Sequence, residues 1–259
     1  MKPIVIKLGG STFGSQDTIL EDLVSLQKRG KQLVVVHGGG ELITDWLKRL
    51  GIPTRFVGGL RVTDAETLKV VAAILAGLAN KELVAAIQAL GGKALGLSGV
   101  DGGLLEATIK DVELGYVGEV VKVNSAPLFP IFEAGYMPVI APLSFQPSTG
   151  VLLNVNGDTA AGALAAEVGA GKLIFLTDVA GVCDSSGKLL PRLSPKEARA
   201  LLDSGIASGG MIPKLEACLH ALPRVSVTQI IDGRMPHALL EEMEGRGKGT
   251  TIAYKECKN

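Results

Sequence analysis

Five short stretches of this 259-residue chain carry residue types whose order and spacing can do chemistry. Lys7-Leu8-Gly9-Gly10-Ser11 follows a β-branched run. Bare glycine N–H groups there can approach anionic oxygens closely, with a helix N-terminus behind them and the Lys7 charge beside them. Val36-His37-Gly38-Gly39-Gly40 repeats the arrangement. Three consecutive glycines are entropically costly, and an anion held by bare N–H groups is a chemistry that needs them. In Asn154-Val155-Asn156-Gly157-Asp158-Thr159, two asparagines at period two share one face of an extended segment, suited to a small polar ligand. Asp158 by itself is equally read as a helix cap. Leu176-Thr177-Asp178-Val179-Ala180-Gly181-Val182 leaves an apolar strand as a loop of the kind that faces a nucleotide. In Ser208-Gly209-Gly210-Met211-Ile212-Pro213-Lys214, two glycines open a helix. Lys214 on its first turn opposes the helix dipole unless an anion lies between them. Taken singly, each stretch is also compatible with a tight turn or a solvated lysine.

Other chemistries find less support. His-Gly-Gly-Gly also builds oxyanion holes, but that use requires a G-x-S-x-G nucleophile elbow. Gly96-Leu97-Ser98-Gly99-Val100 fails that pattern at its last position. Gly247-Lys248-Gly249-Thr250 lacks the spacing and the preceding strand of a P-loop, and no G-x-G-x-x-G follows the first strand. The protein-kinase H-R-D and D-F-G elements are missing. Three cysteines, Cys183, Cys218 and Cys257, show no CxxC spacing, so neither a disulfide framework nor a thiolate zinc site is expected. A reduced, cytoplasmic compartment fits that usage. Lys+Arg and Asp+Glu are both 26, so no basic excess points to nucleic acid, and 4% aromatics offer few stacking platforms. The longest apolar stretch, Val70 to Ala79, is too short to span a bilayer and reads as a core helix. His37 reads as a structural turn residue, His220 and His237 as surface positions, Trp46 as core or interface, and Met211 as a packing residue.

The elements that must position these groups alternate in type. Strands are expected at 4–6, 33–36, 95–97, 138–140, 173–176 and 225–231. Helices are expected near 16–29, 41–50, 65–90, 158–168, 195–204, 211–221 and 237–244. Residues 104–123 alternate apolar and polar in part, which predicts an antiparallel excursion with one wet face. Strands alternating with helices predict an α/β fold, a three-layer αβα sandwich around a mostly parallel sheet. No linker or low-complexity tract divides the chain. A single domain is expected over 1–259, with an N-terminal half of about 1–155 and a C-terminal half of about 156–259. Ligands on such sheets bind beyond the carboxyl ends of the strands, which is where the glycine-rich stretches fall.

Together with Gly59-Leu60-Arg61-Val62-Thr63, these motifs resemble those of the amino acid kinase family over essentially the whole chain. The likeness is nearest to members that phosphorylate the side-chain carboxylate of N-acetyl-L-glutamate with ATP, a step of arginine biosynthesis. The acceptor is ionised at neutral pH, so no general base is needed. The obstacle is repulsion between anions, which fixed cations and backbone N–H groups relieve. The resemblance implies that Lys7 and Lys214 stabilise the transferring phosphoryl group and that Asp158 orients both lysines. It implies that Gly10, Gly39 and Gly40 offer backbone N–H groups, that Arg61 clamps the α-carboxylate, and that Asn154 hydrogen-bonds the substrate. The nucleotide would lie on Gly9, Gly10, the Asp178-Val179-Ala180-Gly181-Val182-Cys183 loop and Ile206-Ala207-Ser208-Gly209-Gly210. Magnesium would bridge phosphates, with few direct protein ligands. The alternatives are a kinase of carrier-bound aminoadipate or, less favoured, a non-catalytic amino-acid sensor. The resemblance also implies a homodimer, with neither nucleic acid nor membrane as partner. Its expected interface is the 65–90 helix or its neighbours, where apolar residues such as Val70, Val71, Ile74 and Leu75 are dense. With only Met1 and Lys2 ahead of strand one, insensitivity to arginine is expected.

Overall fold

The computed structural model describes residues 2–9 and 18–254. Among these, eight strands form the central sheet, in the spatial order β12 (Arg192–Leu193), β14 (Gly249–Ile252), β13 (Val227–Asp232), β11 (Lys172–Thr177), β1 (Ile4–Leu8), β2 (Leu33–His37), β8 (Met137–Ala141) and β5 (Ala94–Ser98). Every neighbouring pair is parallel except β13 with β14. The three-layer α/β architecture expected from the alternation of elements is the one observed.

The pleat sorts side chains between the two faces, and this decides where the chemistry lies. Ile4, Ile6 and Leu8 pack into a core with α1 (Ile19–Lys28), α4 (Asn80–Ala89) and α9 (Ala238–Met243). Val5 packs into the opposite core with α6 (Gly157–Glu167), α7 (Pro195–Asp203) and α8 (Met211–Ala221). With a side-chain period of two, Lys7 shares the face of Val5 and is aimed at α6 and α8 rather than at α1. α5 (Leu128–Glu133) covers the sheet on that same face.

The predicted antiparallel excursion is present. β6 (Leu105–Ile109) pairs antiparallel with β7 (Val117–Val123). With β9 (Leu143–Phe145) and β10 (Leu152–Val155) they close into a small barrel. A two-residue turn, Gly58-Gly59, joins β3 (Phe56–Val57) to β4 (Leu60–Arg61). Both glycines have positive φ, at +56° and +79°, the geometry that tight hairpins require.

The 65–90 segment departs from a regular helix. α3 (Ala65–Ala72) runs into a π-helical stretch, Ala73–Ala79, and then into α4. At 25 residues this helix has the length and hydropathy of a membrane span. Its Val71, Ile74, Leu75, Leu83 and Ile87 are nonetheless buried within the chain. Of the residues expected to be dense at an interface, Val71, Ile74 and Leu75 are therefore packed within the chain. α2 (Gly40–Arg49) crosses the helix and covers Val71, Ile74 and Leu75 with Ile43 and Leu47. Those three side chains are satisfied within the chain, and Val70 is half-buried beside them.

Candidate active site

Two lysines from distant parts of the chain meet on one carboxylate. Lys7 Nζ lies 2.8 Å from Asp158 Oδ1, and Lys214 Nζ lies 3.0 Å from Oδ2. Lys7 comes from the carboxyl half of β1, Asp158 from the first turn of α6, and Lys214 from the first turn of α8. Lys7 and Asp158 are buried, at 7% and 5% exposure, which keeps water from screening the pair. Burial alone would raise the Asp158 pKa. Lys7 and Lys214 outweigh it, so the carboxyl stays below the usual carboxylate range and remains ionised. Asp158 does not cap α6. Asn156 does so, its Oδ1 accepting from the N–H groups of Asp158 and Thr159 at 2.8 and 3.1 Å. Gly157 permits the arrangement: a Cβ there would come 2.8 Å from Lys7 Cε.

Beside this bridge lies a cavity of about 190 Å³, lined by Gly38, Gly39, Gly40, Arg61, Asn154 and Gly157 among others. Gly39 and Gly40 begin α2, and no side chain caps that terminus. The first N–H groups of a helix have no intrahelical partner, so this end of the cavity is electropositive. Arg61 is buried, and one nitrogen, Nη2, donates to Gly40 O and to Thr44 Oγ1, each at 2.8 Å. Its guanidinium lies 4.8 Å from the centre of the Phe56 ring. Nη1 is buried, with no hydrogen-bond partner among the described residues. Burial lowers the Arg61 pKa, but a guanidinium stays charged, and an unpaired buried donor of this kind suits a carboxylate. Asn154 is oriented by Thr63, whose Oγ1 accepts from Asn154 Nδ2 at 3.1 Å.

The residues expected to hold the nucleotide divide by exposure. Asp178, Val179 and Ala180 stand exposed after β11. Gly181 and Val182 are buried, and the Val182 N–H donates to Thr250 Oγ1 at 2.8 Å. Cys183 is half-buried and bridges to Leu189. Ile206, Ser208, Gly209 and Gly210 are exposed ahead of α8, with Ala207 anchored in the same core as Val182. Gly209 takes φ +53°, and Gly210 caps α8. The Gly9 N–H donates to Leu176 O at 3.0 Å, so its contribution is close passage; a Cβ would sit 2.9 Å from that oxygen. Gly10 lies outside the described residues. A second cavity, about 320 Å³, adjoins Ala180 and is bounded by Asp232, Met235, Pro236, Arg246 and Lys248.

The histidines and Ser98 do not supply a nucleophile or base. Ser98 Oγ donates to Asp101 Oδ2 at 2.8 Å in the turn after β5. His37 is fully buried, and burial lowers its pKa to about 4. His220 is exposed, as expected; His237 is half-exposed and pairs through Nδ1 with the buried Asp22 at 2.7 Å. Burial raises the Cys218 thiol to about 12, which leaves it inert. Met211 packs against the core beneath α8, and Trp46 is partly buried against α3. Sequence reasoning missed Asn156 as the cap, Phe56 and Thr44 as supports of Arg61, and Gly157 as the gap for Lys7. The Asn-Gly-Asp order was the available signal for the first and last of these.

A strand-bound lysine and a helix-bound lysine on one aspartate, beside glycine-rich helix starts at the carboxyl ends of parallel strands, define a phosphate-handling α/β enzyme. The family model described as "Amino acid kinase family" matches residues 2–231, and the chain belongs to that family. Acetylglutamate kinase from Dehalococcoides mccartyi is 48% identical, over 98% of this chain and 96% of its own length. Acetylglutamate kinase from Cereibacter sphaeroides is 45% identical, over 98% of this chain and 88% of its own length. Among solved structures, N-acetylglutamate synthase from Neisseria gonorrhoeae complexed with coenzyme A and N-acetyl-glutamate superposes with a TM-score of 0.85 at 26% identity. That match covers 98% of this chain and 60% of the synthase chain.

Proposed function

We propose that this chain transfers the γ-phosphoryl group of ATP to the side-chain carboxylate of N-acetyl-L-glutamate, giving the acyl phosphate and ADP. The observation that carries the reading is the Lys7–Asp158–Lys214 bridge beside the Arg61 cavity. An acceptor carboxylate oxygen attacks the γ-phosphorus. The bond to the β–γ bridging oxygen breaks, and its electron pair leaves on ADP. No proton moves from the acceptor, which accords with a site whose histidine is buried and committed elsewhere. Lys7 and Lys214 face the charge that spreads over the transferring group, and Asp158 holds their ammonium groups apart and in place. Arg61 Nη1 holds the non-reacting carboxylate. The Gly39 and Gly40 N–H groups face the acceptor and the phosphoryl oxygens, while Asn154 meets the acylamino end. Asp178 to Cys183 and Ile206 to Gly210 carry the nucleotide.

Magnesium supplies charge neutralisation on the phosphates. Both oxygens of Asp158 are engaged by lysines, which supports a metal held chiefly by phosphate oxygens rather than by this carboxylate. The reading includes a homodimer in the cytoplasm; light scattering on the purified protein tests the assembly. The function is tested by an ATP-dependent hydroxamate assay that compares N-acetylglutamate, glutamate, aspartate and aminoadipate. Turnover with N-acetylglutamate above the others is expected. Preference for aminoadipate, or no turnover with any acceptor, overturns it.

A further inference from the structure

We infer that Asn80 is a positioning residue for phosphoryl transfer, acting through the buried His37 to orient the Gly38–Gly39 peptide at the mouth of the cavity. This rests on the phosphoryl-transfer reading above.

The argument begins with the helix. The Asn80 N–H donates to Leu75 O, five residues back, as the π-helical stretch Ala73–Ala79 requires. Residues five apart are thereby stacked, so Leu75 and Asn80 both reach the loop after β2. An α-helix stacks residues three and four apart instead. Leu75 lies against the loop from one side: a Cβ on Gly39 would meet Leu75 Cδ2 at 2.8 Å. Asn80 reaches the residue just before the loop. It is fully buried, and its Nδ2 lies 2.9 Å from Val139 O, 3.1 Å from His37 Nε2 and 3.3 Å from Leu97 O. Lys81 Nζ donates to Asn80 Oδ1 at 3.0 Å, which fixes the amide with its NH2 group toward the histidine. π-Helical turns cost stability and concentrate at functional sites; here the turn brings an amide to an imidazole.

His37 Nδ1 lies 2.8 Å from Gly38 O. A carbonyl only accepts, so Nδ1 carries the proton, and Nε2 accepts from Asn80. Asn80 therefore selects the tautomer that can hold Gly38 O. Burial keeps the ring neutral near pH 7, so the choice between its two nitrogens is a real one. The 38–39 peptide is planar and trans, so its C=O and N–H point in opposite directions. Drawing Gly38 O toward His37 turns the Gly39 N–H away from the ring. Gly38 and Gly39 both line the cavity.

The test uses the full chain with Asn80→Leu, which keeps the branched shape and the number of heavy atoms and removes both donors, and Asn80→Asp, which keeps polarity and presents only acceptors. Three readouts are taken: steady-state kinetics, the His37 ring ¹⁵N resonances, and the Gly39 amide resonance. In the wild type the proton resides on Nδ1. In a folded Asn80→Leu protein the Gly39 amide resonance moves and kcat falls by about 10- to 100-fold, with KM for ATP changed by less than about threefold. In Asn80→Asp the proton moves to Nε2 and kcat falls with it. A purely structural asparagine would lower the melting temperature while kcat, the tautomer and the Gly39 amide stay as in the wild type, and that result overturns the inference. A wild-type enzyme inactive on every acceptor would instead sink the phosphoryl-transfer reading. The tautomer and the Gly39 amide would still decide whether Asn80 sets the peptide.

Discussion

Lys7 and Lys214 hold opposite oxygens of Asp158, and each has a separate consequence when removed. Lys214→Ala leaves Asp158 paired with Lys7, so the fold keeps a compensated carboxylate while the site loses a preorganised cation. The expected loss in kcat is on the order of 10²-fold, with only a small shift in melting temperature, and Lys7→Ala should match it. Wild-type kcat in Lys214→Ala would remove that lysine from the chemistry. Asp158→Asn is different, because it leaves two neighbouring ammonium groups without their counter-charge. It should cost stability as well as rate, by about 3–5 kcal/mol for a broken buried pair. Arg61→Ala should raise KM for the acyl amino acid and leave KM for ATP nearly unchanged, since Arg61 lines the cavity proposed for the acceptor and not the loops proposed for the nucleotide. Equal effects on both substrates would contradict the clamp. His37 gives a pH signature. Its pKa falls from 6.5 to about 4 on folding, so between those values the unfolded chain binds more protons. Stability from this residue is therefore complete above pH 6.5 and is lost as pH falls toward 4, by up to about 3 kcal/mol. Urea midpoints at pH 7 and pH 4.5 should differ more for the wild type than for His37→Gln.

The elements transmit small geometric demands to those residues. α6 carries Asp158 and α8 carries Lys214, so the distance between the helices sets the ion pair. Gly162 of α6 lies where a Cβ would come 2.9 Å from Ala217 O and 3.0 Å from Ala217 Cβ on α8. Gly162→Ala should push the helices apart, destabilise the protein by about 1–3 kcal/mol, and lower kcat by displacing Lys214. Retained kcat with the stability loss would mean that Lys214 follows Asp158 despite the separation. Gly157→Ala makes the complementary case. It sits at the first position of α6, where alanine is a good helix former. The added methyl instead crowds Lys7 Cε. Here kcat should fall with little change in melting temperature, a separation that calorimetry and kinetics on one sample can read.

At the scale of the molecule, the candidate site gathers β1, α2, β4, β10, α6 and α8, elements drawn from across the chain. Binding that spans so many elements opposes global unfolding. A ligand at one hundred times its Kd adds about 2.7 kcal/mol when it binds only the folded state. MgATP and N-acetylglutamate should each raise the melting temperature, and together they should raise it further. Absence of any shift with the acyl amino acid at saturating concentration would count against the proposed acceptor.

Much of this was legible in the residues. Apolar runs without alternation dictated buried parallel strands, because both sheet faces are covered. Glycines directly after those strands marked the carboxyl end of the sheet, where Gly38, Gly39 and Gly40 line a cavity. Composition and motif order carried the α/β class and the family. The partnerships were not legible, because hydrogen-bond acceptors are chosen in three dimensions. Asn156 rather than Asp158 caps α6, since the cap's side-chain oxygen accepts from the N–H groups two and three residues further on, which leaves Asp158 to the lysines. Val71, Ile74 and Leu75 read as an apolar stripe, and α2 packs across it within the chain. Periodicity reveals that a face is apolar but not what covers it. The π-helical turn at 73–79 has no signature in its own apolar residues. Its consequence, that Leu75 lies against Gly39 and Asn80 against His37, is visible only once the helix is packed beside the loop after β2, because those contacts join residues far apart in the sequence.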